Sequence, residues 1–174
     1  MVQIIIVNGM PTSGKSTFVE YCLKELGCWG REISTVDFVK DIAKQAGWNG
    51  EKNLKNRKFL SDLKDLLTEW DDVPYKKIKQ AYDAFNFELA QYDVSHHKAF
   101  LFVHCREPQE IQKFKDRLNA VTVLIRREAV ESNEQSNHAD SEVFNFKYDA
   151  EITNNESLRE LKEKAKGFIE LMTI

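Results

Sequence analysis

Gly9-Met10-Pro11-Thr12-Ser13-Gly14-Lys15-Ser16-Thr17 fits the pattern G-x-x-x-x-G-K-[ST] and follows the apolar run Val2-Gln3-Ile4-Ile5-Ile6-Val7. A buried-type strand, a glycine-bounded loop and an amphipathic helix, in that order, form the context in which this pattern holds phosphate. Gly9 and Gly14 permit a turn tight enough for successive amides to face inward, and a helix starting near Lys15 adds its positive end. Lys15 is placed to reach the β- and γ-phosphates and the Ser16 hydroxyl to ligate Mg²⁺, while Pro11, Thr12, Ser13 and Thr17 complete the loop. The ligand implied is a nucleoside triphosphate, read as ATP.

Working outward, residues 15–26 carry Phe18, Val19, Cys22, Leu23 and Leu26 at helical spacing, and Gly27 is a natural stop. Residues 32–36 read as a second strand and 38–46 as a helix that Gly47 ends. Phe59, Leu60, Leu63, Leu66, Leu67 and Trp70 form an apolar stripe over 53–70, and Pro74 opens a further helix with Ile78, Ala81, Tyr82, Phe85 and Leu89. A third strand is expected at 99–103, a helix from Pro108 to 118, and strands at 120–125 and 150–153. A last helix over 156–172 has Asn155 as candidate cap. Strands alternating with helices predict an α/β fold: a three-layer arrangement of five parallel strands with helices on both faces and right-handed crossovers.

The length of 174 residues suits one domain with a sizeable core. Twenty-five Lys+Arg against 28 Asp+Glu leave a formal charge of −3, which argues against a nucleic-acid polymer as partner and leaves room for a small phosphorylated substrate. Cys22, Cys28 and Cys105 are three thiols without metal-type spacing, so reduced cysteines in a cytoplasmic protein are expected. No basic leader precedes the first strand and no apolar stretch approaches a membrane span, so no membrane association is expected. Monomer and homodimer both remain compatible. Residues 128–145 are polar, with Ser132, Asn133, Ser136, Asn137, Asp140 and Ser141, and read either as a functional excursion or as a solvated loop.

Three further segments carry chemistry. Ile33-Ser34-Thr35-Val36-Asp37-Phe38-Val39-Lys40 resembles the I-S-T-G-D-x-L-R segment of adenylate-kinase-like enzymes. Val103-His104-Cys105-Arg106-Glu107-Pro108 resembles the S-D-x-R segment of phage-type deoxynucleoside monophosphate kinases and animal-type phosphomevalonate kinases. Arg126-Arg127, with Ala139-Asp140-Ser141-Glu142, is similar to the lid of the same families, and Ala150-Glu151-Ile152-Thr153-Asn154-Asn155 to their fifth strand and adenine-side turn. The resemblance implies a P-loop nucleoside-monophosphate-kinase-like domain over residues 1–174, with a helical acceptor region at 47–95 and a lid-like excursion at 127–149.

Carried over residue by residue, the resemblance puts Thr35, Lys40 and Arg106 on the acceptor phosphate, Asp37 near Mg²⁺, Arg126 or Arg127 over the transferring group and Asn154 beside the base. Independently of it, Asp37 and Lys40 fall at the carboxyl end of a strand beside the loop, where open α/β sheets bind ligands; Asp37 is equally a candidate helix cap. Arg57, with Lys58 and Lys64, is a candidate acceptor contact on the paired helices, and Trp70 or Tyr75 a candidate stacking ring. His104 stands where the families carry aspartate, and a histidine hydrogen-bonded locally is the simpler reading. The expected activity is transfer of the ATP γ-phosphoryl group to a (deoxy)nucleoside monophosphate. A non-nucleotide phosphate such as phosphomevalonate as acceptor, or an ATP-binding regulatory module, are the alternatives.

Overall fold

The apolar run at the amino terminus becomes the central strand of the sheet. The structure, a computed structural model, describes residues 2–51, 53–92, 98–131 and 142–174. Strand β1 (Val2–Asn8) lies between β3 (Ala99–His104) and β4 (Val121–Arg126), with β2 (Gly30–Ser34) and β5 (Ala150–Thr153) at the edges, in the order β2-β3-β1-β4-β5. All pairs are parallel, and the registers Val7 to His104, Ser34 to His104, Asn8 to Leu124 and Arg126 to Thr153 bring every carboxyl end to one edge. A parallel strand covered on both faces needs apolar side chains on both, which β1 supplies.

Ile5 and Val7 pack with Phe100 and Phe102 under α1 (Lys15–Leu26) and α7 (Leu158–Thr173), where the Phe18 and Phe168 rings meet edge-on at 5.6 Å. Ile4 and Ile6 pack on the opposite face with Ile78 and Phe85 of α4 (Val73–Leu89) and Ile111 and Phe114 of α5 (Pro108–Leu118). Helices α2 (Asp37–Gln45) and α3 (Leu54–Asp71) precede α4, and the short α6 (Glu128–Glu131) follows β4. Among the described residues no helix is long and apolar enough to cross a membrane.

The helix at 15–26, the helix from Pro108 and the strand at 150–153 form as the sequence predicts. Strand β2 starts and ends two residues earlier than expected, closing at Ser34; the Thr35 amide and hydroxyl donate to the His104 carbonyl at 3.1 and 3.4 Å. Helix α7 begins later than expected, capped by Ser157 in a reciprocal box with Glu160. Asn155, the expected cap, instead accepts from the Glu128 amide at 2.9 Å. The largest correction concerns α3. Phe59, Leu66 and Trp70 of the expected core stripe are 40, 61 and 74% exposed, and the buried side chain on that helix is Lys64.

Gly167 lies inside α7, and a Cβ there would meet nothing within 4 Å. Gly167→Ala is therefore expected to raise stability by about 0.5–1 kcal/mol, read as a higher urea midpoint at unchanged slope.

Candidate functional site

The loop between β1 and α1 has the backbone that its glycines forecast. Gly9 and Gly14 sit at φ 149° and 98°, and Thr12 between them at 62°. The Ser13 amide donates to the Met10 carbonyl at 3.1 Å, and the Phe18 amide to Gly14 at 2.9 Å begins the helix. Lys15 turns back over the loop, its ammonium donating to the Gly9 and Met10 carbonyls at 2.7 and 2.6 Å. Ser16 is exposed on the first turn of α1, and Thr12 is exposed at the tip. The Ser13 hydroxyl is buried without a hydrogen-bond partner among the described residues. An orphaned hydroxyl in a glycine-bounded loop that leads into a helix N-terminus is chemistry suited to an anion.

Two asparagines fix this loop. Asn8, fully buried at the end of β1, accepts from the Gly9 amide at 2.8 Å and donates to the Arg106 carbonyl at 3.2 Å and to the Tyr148 hydroxyl at 2.7 Å. One side chain thus joins the β1–α1 loop to the turn after β3. The Tyr148 hydroxyl in turn donates a hydrogen bond to the Val143 carbonyl at 2.7 Å, and burial pushes its pKa up to about 12. Sequence reasoning passed over Asn8; a polar residue closing an apolar strand was the only local signal. Asn154, following β5, donates to the Ser13 carbonyl at 2.8 Å, and its amide donates to Arg126 at 2.7 Å. It therefore acts on the loop from behind. Asn154→Ala leaves a buried carbonyl unpaired at a cost of about 1–3 kcal/mol, and ATP affinity measured by calorimetry is expected to fall by up to about a hundredfold.

At the β2–β3 edge, Asp37 opens α2 and accepts from the Ser34 amide at 2.8 Å and from Lys40 at 2.9 Å. Asp37 thus closes the strand-to-helix turn, while the cap position itself belongs to Val36. The Asp37–Lys40 pair is about half exposed, so the two charges hold one another weakly. Thr35 is buried with its hydroxyl turned to His104. Arg106 is half-buried on the turn after β3. His104 itself is held at 2.6 Å by Glu32 of β2. Burial drives its pKa below the ordinary histidine value, partly offset by the Glu32 carboxylate, with Lys15 and Asp37 also in its field. Lys15, Asp37 and His104 accordingly share one neighbourhood.

Beyond β4 the charges are committed differently. Arg126 donates to both Glu131 oxygens at 2.8 and 2.7 Å and to Glu151 at 3.1 Å, with its guanidinium 5.5 Å from the Phe144 ring. These carboxylates raise the arginine pKa, and hydrogen bonding to Arg126 lowers that of Glu131. Arg126 is thereby anchored at the sheet edge, leaving exposed Arg127 as the cation at the root of the excursion. Ser132, Asn133, Ser136, Asn137, Asp140 and Ser141 lie outside the described residues.

On the paired helices Arg57 is exposed in the first turns of α3, and Lys58 pairs with Asp62 at 2.8 Å on the surface. Lys64 is turned inward to Glu110 of α5 at 2.6 Å. Trp70 faces solvent, whereas Tyr75 packs on Phe114 at 5.4 Å and carries Arg117 over its ring at 5.3 Å.

No group of three or more His, Cys, Asp or Glu residues suited to a metal ion occurs among the described residues. Mg²⁺ that travels with a triphosphate needs only one or two protein oxygens besides phosphate and water, and the Ser16 hydroxyl and Asp37 carboxylate supply that donor type. The residues present fit the ion on those terms.

No protein-family profile matches the chain, and no curated protein matches it in sequence. Solved structures do resemble it. A sugar kinase from Janibacter sp. HTCC2649 is 13% identical over 99% of this chain and 97% of its own, with a TM-score of 0.51. A gluconokinase from Sinorhizobium meliloti 1021 is 14% identical over 98% and 93%, with a TM-score of 0.49. A shikimate kinase from Bacteroides thetaiotaomicron is 12% identical over 99% of both, with a TM-score of 0.46. The first likeness shows a shared fold, an α/β arrangement of five parallel strands between helices.

Proposed function

We propose that this chain is an ATP-dependent phosphotransferase that moves the γ-phosphoryl group to a small phosphorylated acceptor, in the first place a (deoxy)nucleoside monophosphate. One observation carries the reading: the β1–α1 loop, with the buried Ser13 hydroxyl left without a hydrogen-bond partner among the described residues, opens on the same sheet edge as Lys40 and Arg106. Lys15 and the loop amides hold the donor phosphates, with Ser16 and Asp37 as the oxygens that would hold Mg²⁺. When bound, that ion neutralises charge on the phosphates. Lys40, Arg106 and Arg127 align the acceptor and the transferring group, with residues 47–95 as the acceptor region. A phosphate oxygen is already ionised, so this acceptor needs no strong base.

The test is ADP release with ATP and Mg²⁺ across the nucleoside and deoxynucleoside monophosphates, with phosphomevalonate as the non-nucleotide arm. Turnover of one monophosphate supports the proposal. Tight ATP binding without acceptor-stimulated ADP formation replaces it with a regulatory module.

A second reading rests on the His104–Glu32 pair. Neutral His104, its Nε2 held by Glu32 and facing the charges of Lys15 and Asp37, offers a proton acceptor that a phosphate acceptor does not require but a hydroxyl acceptor does. Because the His104 pKa is lowered, the base form prevails above it. Activity on a polyol or sugar hydroxyl is then expected to be flat at neutral pH and to fall only below the usual histidine range. His104→Asn would remove that acid limb. A pH profile without the limb, measured on the best acceptor, returns the assignment to phosphate.

A further inference from the structure

Lys64 is an expensive residue to bury. Its side chain is 9% exposed, and the Glu110 side chain facing it is 11% exposed. Two well-packed apolar side chains in their place would serve stability equally well or better, so a buried ion pair argues for a geometric task. Its surroundings suggest which. Glu110 stands in the first turn of α5, where a carboxylate suits the helix N-terminus, and the same oxygen that accepts from Lys64 accepts from the Cys105 thiol at 3.4 Å. Arg106 lies between these two contacts in sequence. Burial works against the Lys64 charge, but Glu110 first and Glu107 among the others more than offset it, and the ammonium stays protonated. The thiol of Cys105 is held protonated by its burial and by Glu110.

Helix α3 otherwise rests on α2 and α4 and exposes much of its apolar stripe, so its position relative to the sheet edge is weakly set by packing. Arg57 precedes Lys64 by seven residues, which places it on the same helix face two turns away, about 10.5 Å along the axis. Fixing Lys64 against the turn that holds Arg106 therefore fixes the position of Arg57 as well.

We propose that the Lys64–Glu110 pair is a positioning device that locks α3 to the β3–α5 turn, setting Arg57 of the helix and Arg106 of the turn at the separation needed to address one acceptor phosphate. The proposal rests on the kinase reading above. Neither Lys64 nor Glu110 touches substrate in it; both act through the two arginines.

The decisive variant is the double replacement Lys64→Met with Glu110→Leu, which removes the pair without stranding a buried charge. It is expected to melt near the native protein and bind ATP with native affinity, while KM for the acceptor rises at least about tenfold and kcat changes less. Lys64→Arg, which keeps charge and reach, is expected to stay within about threefold of native KM. Native acceptor KM in the double variant overturns the proposal, because a merely structural pair predicts that result. Hydrogen exchange supplies a readout that does not need turnover. Inorganic phosphate is expected to slow exchange at residues 53–58 in the native protein and not in the double variant. Equal protection in both overturns the positioning role even if no acceptor is ever phosphorylated, whereas loss of protection alongside absent turnover supports it and removes the kinase reading alone.

Discussion

Lys15→Ala is expected to abolish most of the proposed phosphoryl transfer while leaving the fold in place. The ammonium donates to the Gly9 and Met10 carbonyls, and in the proposed reaction it would turn to the charge developing on the transferring group. Removing one preorganised electrostatic contact of this kind costs about 3–4 kcal/mol of transition-state stabilisation, or two to three orders of magnitude in rate. The side chain is only half-buried and belongs to neither apolar cluster, so the melting temperature is expected to stay within a few degrees. Coupled ADP-release kinetics check the first part and a thermal melt the second. Full turnover by this variant removes the donor-site assignment altogether.

Gly9→Ala is the second large effect, and its origin is steric. A Cβ on residue 9 would stand 2.3 Å from the Ile125 carbonyl oxygen and 2.7 Å from the Ser13 hydroxyl, at a φ of 149° that side-chain-bearing residues avoid. The first neighbour is backbone of a central strand and cannot give way. Overpacking costs about 1–3 kcal/mol and forced backbone strain a similar amount, so a loss of about 3 kcal/mol or more is expected. The loop would be displaced with it, and ATP heat in calorimetry should vanish. Gly167→Ala, the same exchange in open space, has the opposite sign, which makes the pair a test of the local geometry rather than of glycine content.

The parts of the chain that were legible in advance are those whose reasons are local. Helix α1 follows from Phe18, Val19, Cys22 and Leu26 at helical spacing with Gly27 behind them, and α5 from Pro108 at its head. The loop was legible because its two glycines are demanded by backbone angles within nine residues. What stayed hidden depends on partners far away in sequence. The apolar stripe of α3 gives no sign that the helix buries Lys64, whose partner Glu110 stands 46 positions on. Asn155 was drawn away from capping by the Glu128 amide, although the Ser157 and Glu160 spacing already offered the better cap. Arg126 reads as a free lid cation until Glu131 and Glu151 close on it. Asn8 shows locally only a polar residue closing an apolar strand, since the Arg106 and Tyr148 groups it joins lie 98 and 140 positions away.

The strand order also dictates a timetable for synthesis. Of the five strands of this sheet, the first to be synthesised is the one that ends at its middle, and its two hydrogen-bonding neighbours begin at Ala99 and Val121. Until those emerge, Ile4, Ile5 and Ile6 have helices to lean on but no ladder to join. Such long-range parallel pairing is slow and leaves sticky intermediates. A nascent chain halted before residue 99 should therefore be held by chaperones and be readily proteolysed, and one released past Thr153 should close its sheet in a single cooperative step.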